Sequence, residues 1–257
     1  MQIPQENLLE IDRFLREHHV PQDNQEKRFH FYCDLMERFG RPLTSQSRVL
    51  EVGTGTGWLL VLFTAKGLQS EGLEISQQLI DNARKLGRQR GVEPDIRLGN
   101  IEEVDLGEAK YDFIIASAVF EHVQHWEHAL HTIARALKPG GLFYFASTNK
   151  LSFTSGEYNF PLYGWLPDAL RFKLRIWRQG TNIMKLGIDF NQFRPGQLRR
   201  AFQEAGFSKA MDIFEYTNLD AMRSPVKRAL LRVIRSSRLA HFAVTTFYYG
   251  NLFLCVK

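Results

Sequence analysis

Three glycines at alternate positions follow a short apolar run, at Gly53, Gly55 and Gly57. Glycine adopts positive φ angles easily and lets a bound molecule approach the backbone closely. A phosphate-binding P-loop would continue as Gly-Lys-Ser/Thr, but Trp58 follows the third glycine. The dinucleotide fingerprint G-x-G-x-x-G would need glycine at 58 or 60, and these positions hold Trp58 and Leu60. The turn therefore disfavours phosphate and pyrophosphate ligands.

Two acidic residues lie where they could hold a polar ligand against this turn. Glu51 stands two residues ahead of Gly53, and Glu74 comes 23 residues after Glu51. Hydrogen bonds to a buried carboxylate contribute about 1.5–3 kcal/mol each, so either acid could bind hydroxyl or amino groups. Enzymes that use a nicotinamide cofactor also have an acid at a position like that of Glu74. Glu74 alone therefore does not identify the ligand. A tight strand-to-helix turn that binds nothing is the alternative.

Predicted strands and helices alternate along the chain. Apolar runs predict strands at 48–53, 70–76, 95–100, 111–119 and 142–148, and amphipathic stretches predict helices at 59–67, 77–91 and 126–137. We expect the last helix to stop at the turn 138–141, KPGG. Alternation of this kind predicts an α/β fold with a parallel sheet covered by helices on both faces. Ligands of such sheets bind beyond the carboxyl ends of the strands, where the glycine turn lies.

The glycine turn with its acid, E-x-G-x-G-x-G, resembles the first motif of the class I S-adenosylmethionine (SAM)-dependent methyltransferases. Three further stretches resemble later motifs of that family: GNIEEVDL at 99–106, YDFIIASAVFEHV at 111–123 and ARALKPGGLFYFAS at 134–147. The resemblance covers 45–148 and resumes at 190–207. It implies SAM as the cofactor and a Rossmann-like, doubly wound, mostly parallel sheet of seven strands with helices on both faces.

The resemblance also implies which residues contact SAM. Glu51 would hold the cationic end of the ligand, Glu74 would bind the ribose hydroxyls, and Ile75 would pack on the adenine ring. Asn100 occupies a position where many family members have Asp, and its amide would contact the adenine edge. The complete predicted set is Glu51, Gly53, Thr54, Gly55, Gly57, Glu74, Ile75, Asn100, Ile101 and Ser117.

Glu121 and His122 follow the fourth predicted strand directly and are the candidate catalytic residues. FEHV at 120–123 resembles the LEHV stretch of methyltransferases that act on ubiquinone precursors and related small molecules. An imidazole has an ordinary pKa of about 6.5 and could serve at neutral pH as general base for an acceptor hydroxyl. A capping or packing histidine is an equally good interpretation. We expect methyl transfer to a hydroxyl oxygen of a small-molecule or lipid-linked acceptor.

Four histidines recur at every third position, at His122, His125, His128 and His131. Each step of three turns a helical side chain by about 60°, so the four cannot converge on one ion, and we predict no metal site. Two other functions stay open. One is a SAM-binding interaction protein without catalysis, and the other is a nicotinamide-dependent oxidoreductase, which the missing fingerprint glycine disfavours.

One domain is expected over the whole of 1–257, since a chain of this length can form a single core. Arg28, Phe29 and Tyr32 are candidates to cover the cofactor, with plain packing as the alternative. The predicted parts of the domain are an N-terminal helical cap at 1–44, the SAM-binding core at 45–148, an acceptor-site insertion at 149–189 and a C-terminal part of the sheet with a basic helix at 190–257.

Positive charge is concentrated at the C-terminus. Residues 221–257 contain seven Lys or Arg and no acid, whereas the whole chain has a net charge of +5. A predicted helix there carries Arg228, Arg232 and Arg235 on one face and apolar residues on another. Such helices can lie on an anionic membrane surface, bind an acidic substrate or simply face solvent. No recognised nucleic-acid-binding module occurs, so we expect no nucleic acid partner.

The cellular location is predicted from features that the sequence lacks. Cys33 and Cys255 form no CxxC pair, and no apolar run approaches the roughly 18 residues of a membrane span. The N-terminal residues lack the apolar segment of a signal peptide. We expect a cytoplasmic protein, with peripheral contact to the inner face of the membrane through the basic helices as a further expectation.

Overall fold

The computed structural model describes residues 11–154, 160–179 and 191–257. Residues 1–10 of the predicted N-terminal cap lie outside the described residues. So do residues 155–159 and 180–189 of the predicted acceptor-site insertion, and residue 190. The side chains of Phe172, Arg175 and Arg178 also lie outside them.

Seven strands in the described residues form one sheet in the order β3-β2-β1-β4-β5-β7-β6. Strands β1 to β5 pair in parallel, and β7 runs antiparallel to both β5 and β6. This arrangement confirms the predicted α/β fold with a mostly parallel sheet. The strands are β1 Arg48–Val52, β2 Gln69–Glu74, β3 Asp95–Leu98, β4 Tyr111–Ser117, β5 Leu137–Thr148, β6 Lys209–Asp212 and β7 Gly250–Val256.

Helices cover both faces of this sheet. Tyr32 of α2 and Phe63 of α3 belong to the apolar cluster on one face, and Ile133 of α5 and Phe202 of α7 belong to the cluster on the other. A 3-10 turn at Phe120–His122 connects β4 to α5. The helices are α1 Ile11–Glu17, α2 Gln22–Arg38, α3 Trp58–Ala65, α4 Gln77–Gln89, α5 Trp126–Ala136, α6 Asp168–Gln179, α7 Pro195–Glu204, α8 Ile213–Tyr216, α9 Pro225–Ser236 and α10 Arg238–Phe247.

Strand β5 begins earlier than its sequence predicts. The KPGG stretch at 138–141 was expected to be a turn, but it lies within β5, which starts at Leu137. Leu137 pairs with Tyr111 of β4, and the register then shifts before Phe113 pairs with Leu142. The glycines are therefore accommodated by an irregularity in the ladder, because bulged positions tolerate residues that a regular strand disfavours.

Helix α2 packs against the sheet and does not cover the cofactor crevice with Phe29 or Tyr32. Tyr32 is buried in the core, and its ring lies 5.6 Å from that of Phe113 on β4. The Phe29 ring lies 5.6 Å from that of Phe63 on α3. The packing alternative is correct for these two residues, because both rings are the apolar contacts that hold α2 to the fold.

Candidate functional site

The three glycines of the turn differ in what surrounds them, although each has a positive φ, at 68°, 53° and 81° for Gly53, Gly55 and Gly57. A β-carbon on Gly53 would collide with Val119, and one on Gly57 would lie 2.8 Å from the Cα of Ala83 on α4. These two glycines allow neighbouring segments to pack closely. Among the described residues, a β-carbon on Gly55 would meet only the ring of Phe14, at 3.7 Å. Gly55 is therefore the position where a ligand could lie against the backbone.

Phe14 is a residue of the site that sequence reasoning missed. It lies on α1, 41 positions before Gly55 in the chain, and its ring faces the glycine turn. The available signal was the apolar Ile11, Phe14 and Leu15 at helical spacing among charged residues. Such spacing predicts an amphipathic helix, but it does not identify the surface on which the helix packs.

Glu74 closes the glycine turn. Its Oε2 accepts a hydrogen bond of 2.9 Å from the Gly55 amide, and its Oε1 accepts bonds of 2.9 and 3.1 Å from the amides of Ile75 and Ser76. Burial raises the pKa of Glu74 above the ordinary carboxyl value, although these amides oppose the shift. A carboxylate has about four acceptor positions, and these amides occupy three of them.

Glu51 has a buried carboxyl oxygen, Oε2, with no hydrogen-bond partner in the described part of the chain. Burial, with the nearby charge of Glu74, raises the pKa of Glu51 well above its usual range. Leaving a buried acceptor unsatisfied costs about 1–3 kcal/mol. A ligand with an ammonium group would supply the missing donor and favour the ionised carboxylate. The residues present therefore fit the amino-acid end of SAM.

The residues predicted to contact adenine differ in how accessible their side chains are to a ligand. Ile75 follows β2 with 58% of its surface exposed, which suits an apolar face for a ring. The Oδ1 of Asn100 accepts a local bond of 3.1 Å from the Glu102 amide, so the amide NH₂ is the end that can donate to a ligand. Ile101 is buried in the core, and its predicted contact would have to come from its backbone. Thr54 is also buried.

The carboxyl end of β4 contains an unusual backbone conformation. Ser117 is exposed there, and Ala118 takes a φ of 55° although it has a side chain. Such a conformation costs about 1–3 kcal/mol and persists only where the surroundings impose it. The Ala118 amide donates a bond of 2.9 Å to the carbonyl of Ala146 on β5. This bend directs the chain into the 3-10 turn that holds Glu121 and His122.

Of the two candidate catalytic residues, Glu121 points into the protein. It is 1% exposed, and its Oε2 accepts a hydrogen bond of 2.9 Å from the Ser147 hydroxyl on β5. His122 is half-buried on the same turn. The Gly53 backbone lies against Val119, so the structure brings this turn next to the glycine turn. The burial of Glu121 favours a positioning role, whereas His122 remains the candidate for contact with an acceptor.

Asn191 holds the 3-10 turn at Phe120–His122 in place and was also missed in the sequence. Its side-chain NH₂ donates to the carbonyls of Phe120 and Val123, at 3.0 and 2.6 Å. Its backbone amide donates to the Glu121 carbonyl at 3.0 Å. An asparagine 70 positions after Glu121 carries no local signal for this contact, because only the fold brings the two segments together.

Asp212, Glu215 and His241 also come close enough together to suggest a metal centre. Arg199 donates to both carboxylates, and the bond to Glu215 measures 2.6 Å. Asp212 and Glu215 also form a capping box at the start of α8. The bonds to Arg199 and the helix capping thus account for the two carboxylates, and the cluster involves none of the four histidines spaced at three residues.

Comparison with known proteins identifies the family of this chain. A methyltransferase domain model matches residues 24–210. Ubiquinone biosynthesis O-methyltransferases of Azoarcus sp. (strain BH72) and Alkalilimnicola ehrlichii are 27% and 30% identical to this chain over 62% of its length, and the matches cover 63% and 59% of those proteins. The chain thus spans less than two thirds of these curated relatives.

A SAM-dependent methyltransferase of Mesorhizobium loti has a similar structure, with a TM-score of 0.55 at 15% identity. The similarity covers 87% of this chain and 96% of that one, and it supports the same fold. Because the domain model covers most of the sequence, the chain belongs to the SAM-dependent methyltransferase family.

Proposed function

We propose that this protein transfers a methyl group from SAM to a hydroxyl oxygen of a small-molecule or lipid-linked acceptor. The observation that carries the proposal is the glycine turn closed by Glu74, with the unpaired Glu51 oxygen beside it. The names of the curated relatives, which are O-methyltransferases of ubiquinone biosynthesis, support a hydroxyl acceptor. The acceptor class rests on that similarity and on the residues of the catalytic turn.

Each part of the cofactor site has a distinct task in this proposal. Bound SAM supplies an activated methyl carbon. Glu51 accepts the ammonium group, Glu74 accepts a ribose hydroxyl, and Ile75 offers its exposed side chain to the adenine ring. Gly55 leaves the backbone accessible. Alignment of bound reactants can contribute about 7–11 kcal/mol, so positioning is the main contribution asked of these residues.

His122 would take the proton of the acceptor hydroxyl as the oxygen bonds the methyl carbon, while the bond from that carbon to the sulfonium sulfur breaks and the sulfur leaves as a neutral thioether. General-base catalysis of this kind contributes typically about 10²–10⁴-fold. Glu121, bonded to Ser147, and Asn191, bonded to the carbonyls of the turn, hold the backbone around His122. These two act as positioning residues.

The domain organisation proposed from the sequence fits these roles. A single domain would use its N-terminal cap and the insertion after β5 to form the walls of the acceptor site. In the described part of the insertion, the rings of Phe153 and Trp165 stack with centroids 6.0 Å apart. Arg171 of α6 is buried and pairs with Asp168 at 2.6 Å, so it stabilises the helix start.

Binding and turnover experiments separate the proposal from its rivals. Calorimetry should show SAM binding and no NAD binding, and the reverse would identify an oxidoreductase. Labelled SAM incubated with hydroxylated aromatic and lipid-linked compounds should yield a labelled ether. SAM binding without label transfer to any compound pool would instead support a non-catalytic interaction protein.

The role of His122 has its own test. His122→Ala should lower turnover by about 100-fold or more with SAM affinity unchanged, because a general base acts on the acceptor. Single-turnover rates and calorimetry measure the two effects. His128→Ala, at an exposed position on α5, is the matched control. Wild-type turnover in His122→Ala would reduce the residue to a packing role.

A further inference from the structure

Helices α9 and α10 leave much of their apolar surface uncovered. Leu239 and Phe242 of α10 are 81% and 70% exposed, and Val226 of α9 is 75% exposed. Helix α10 contains no buried residue at all within its ten positions. Amphipathic helices normally turn such side chains toward a core. These two helices, which meet at Ser237, therefore present an apolar surface outward.

Aromatic rings extend this surface from α10 to the insertion. Phe247, at the end of α10, stacks with Phe153 and Trp165, with centroid distances of 5.2 and 6.2 Å. All three side chains are exposed. Exposed apolar patches of this extent mark interaction sites in monomeric proteins. We use the name C-terminal face for Val226, Leu230, Val233, Leu239, Phe242, Phe247, Phe153 and Trp165.

The charged residues of α9 and α10 beside the C-terminal face are cationic. Lys227, Arg232 and Arg238 are exposed, and none of them has an ion-pair partner in the described ranges. Arg228 and Arg235, predicted to share a cationic face with Arg232, instead bond main-chain carbonyls, at 2.6 Å to Met222 for Arg228. The sequence has no acid between 221 and 257 to offset the exposed cations.

We propose that the C-terminal face docks on an anionic lipid bilayer, with its apolar side chains in the interface and Lys227, Arg232 and Arg238 against lipid headgroups. Apolar burial and headgroup attraction act together in such helices. No helix among the described residues could cross a membrane, so the contact is peripheral. A second copy of this chain is a poorer occupant, because an isologous contact would bring the same cations together.

One side chain connects this face to the catalytic turn. The Asn149 NH₂ donates to the carbonyls of Thr246 and Tyr248, at 3.0 and 2.9 Å, and so ties the end of α10 to the end of β5. Ser147, two residues earlier, bonds Glu121. Docking therefore places the bilayer beside the end of the sheet where an acceptor would enter, which suits a lipid-linked compound.

Vesicle flotation of the full chain tests the docking independently of catalysis. The protein should float with vesicles of phosphatidylcholine and phosphatidylglycerol, and much less with phosphatidylcholine alone. Lys227→Gln/Arg232→Gln should weaken binding about 30-fold, because each of the two cationic side chains contributes to the affinity for an anionic surface by a comparable factor. Leu239→Ser/Phe242→Ser should weaken it about 10-fold or more through lost apolar burial.

A matched control removes the same charge elsewhere. Lys85→Gln/Arg88→Gln changes two exposed cations of α4 and should leave flotation at the wild-type level. Absence of flotation, equal flotation with both vesicle types or equal loss in the control would overturn the proposal. A dimer in sedimentation equilibrium that Leu239→Ser/Phe242→Ser abolishes would assign the face to a second copy. Because flotation does not require turnover, its failure is distinct from failure of the proposed methyl transfer.

Discussion

The glycine turn and the C-terminal face differ in how far their atoms are packed and hydrogen-bonded. At the turn, Gly53 and Gly57 fit against side chains with no spare room, and Glu74 accepts three backbone amides. On the C-terminal face, α10 buries no residue and exposes Leu239 and Phe242. The first region leaves a buried carboxyl oxygen unpaired. The second exposes several large apolar side chains.

We infer from this difference that the two regions suit different ligands. An unpaired buried polar atom suits a hydrogen-bond donor, and exposed apolar side chains suit an apolar surface. The unpaired Oε2 of Glu51 is a local polar deficiency, which one donor group can satisfy. Several exposed apolar side chains require an extended surface, because the stabilisation from their burial is proportional to area. Substitutions at one region should therefore leave the other unaffected.

The largest effect is expected at Gly55. Gly55→Val should abolish SAM binding in calorimetry while the protein stays folded, because the branched side chain would fill the open position at a φ of 53°. Gly67→Val is the matched control, since Gly67 has a φ of 80° and no atom within 4 Å of an added β-carbon. Normal SAM affinity in Gly55→Val would mean that the ligand does not lie on this turn.

A smaller effect is expected at Glu74. Glu74→Gln should weaken SAM binding by about 10-fold or more, because a charge-assisted hydrogen bond to a ribose hydroxyl is lost. Glu71→Gln removes an acid of the same strand that bonds Lys110 at 2.6 Å, away from the turn, and should not change the affinity. Equal losses in both variants would point to a general effect on β2.

Glu51 should give the affinity and the stability a pH dependence. Its folded pKa lies above the unfolded value of about 4.3, so the native state binds more protons in between. Stability without ligand should therefore fall as pH rises from that value through the raised pKa. SAM affinity should rise over the same window, since a cationic group prefers the carboxylate.

Glu51→Gln should reduce both slopes, and denaturant titration and calorimetry at several pH values measure them. Glu74 also has a raised pKa and contributes in the same direction, so part of each slope should remain. Unchanged slopes in Glu51→Gln would show that this carboxyl does not titrate with ligand binding.

The smallest effect is expected on the C-terminal face. Leu239→Ser/Phe242→Ser should change the free energy of unfolding by about 0.5 kcal/mol or less per site and leave SAM affinity unchanged, because both side chains are exposed. Chemical denaturation measures this change. A loss of several kcal/mol would mean that these side chains are packed in solution, and the contrast between the two regions would disappear.

The sheet and the glycine turn could be predicted because their signals are local. Apolar runs defined β1 to β4 within a few residues, and the glycine spacing marked the turn between β1 and α3. The meeting of Glu74 with Gly55 followed from parallel pairing, since neighbouring strands end at one edge.

Features that depend on distant segments could not be predicted. Phe14 faces Gly55, and Asn191 bonds the turn at 120–122, only because the fold brings remote stretches together. The arginine pattern on α9 suggested one cationic stripe, yet Arg235 is occupied with the carbonyls at the end of α8. Periodicity identifies a helical face, but it does not reveal which charges the neighbouring backbone uses.

The place of Phe14 over Gly55 has a kinetic consequence. The ring lies beside the position that a ligand on Gly55 would use, and the described part of α1 has seven residues, fewer than the roughly 12–15 that an isolated helix needs. We therefore expect this segment to move away from the turn when a ligand binds. Association then depends on how often α1 opens, and an on-rate below the diffusive range with weak dependence on viscosity is its signature.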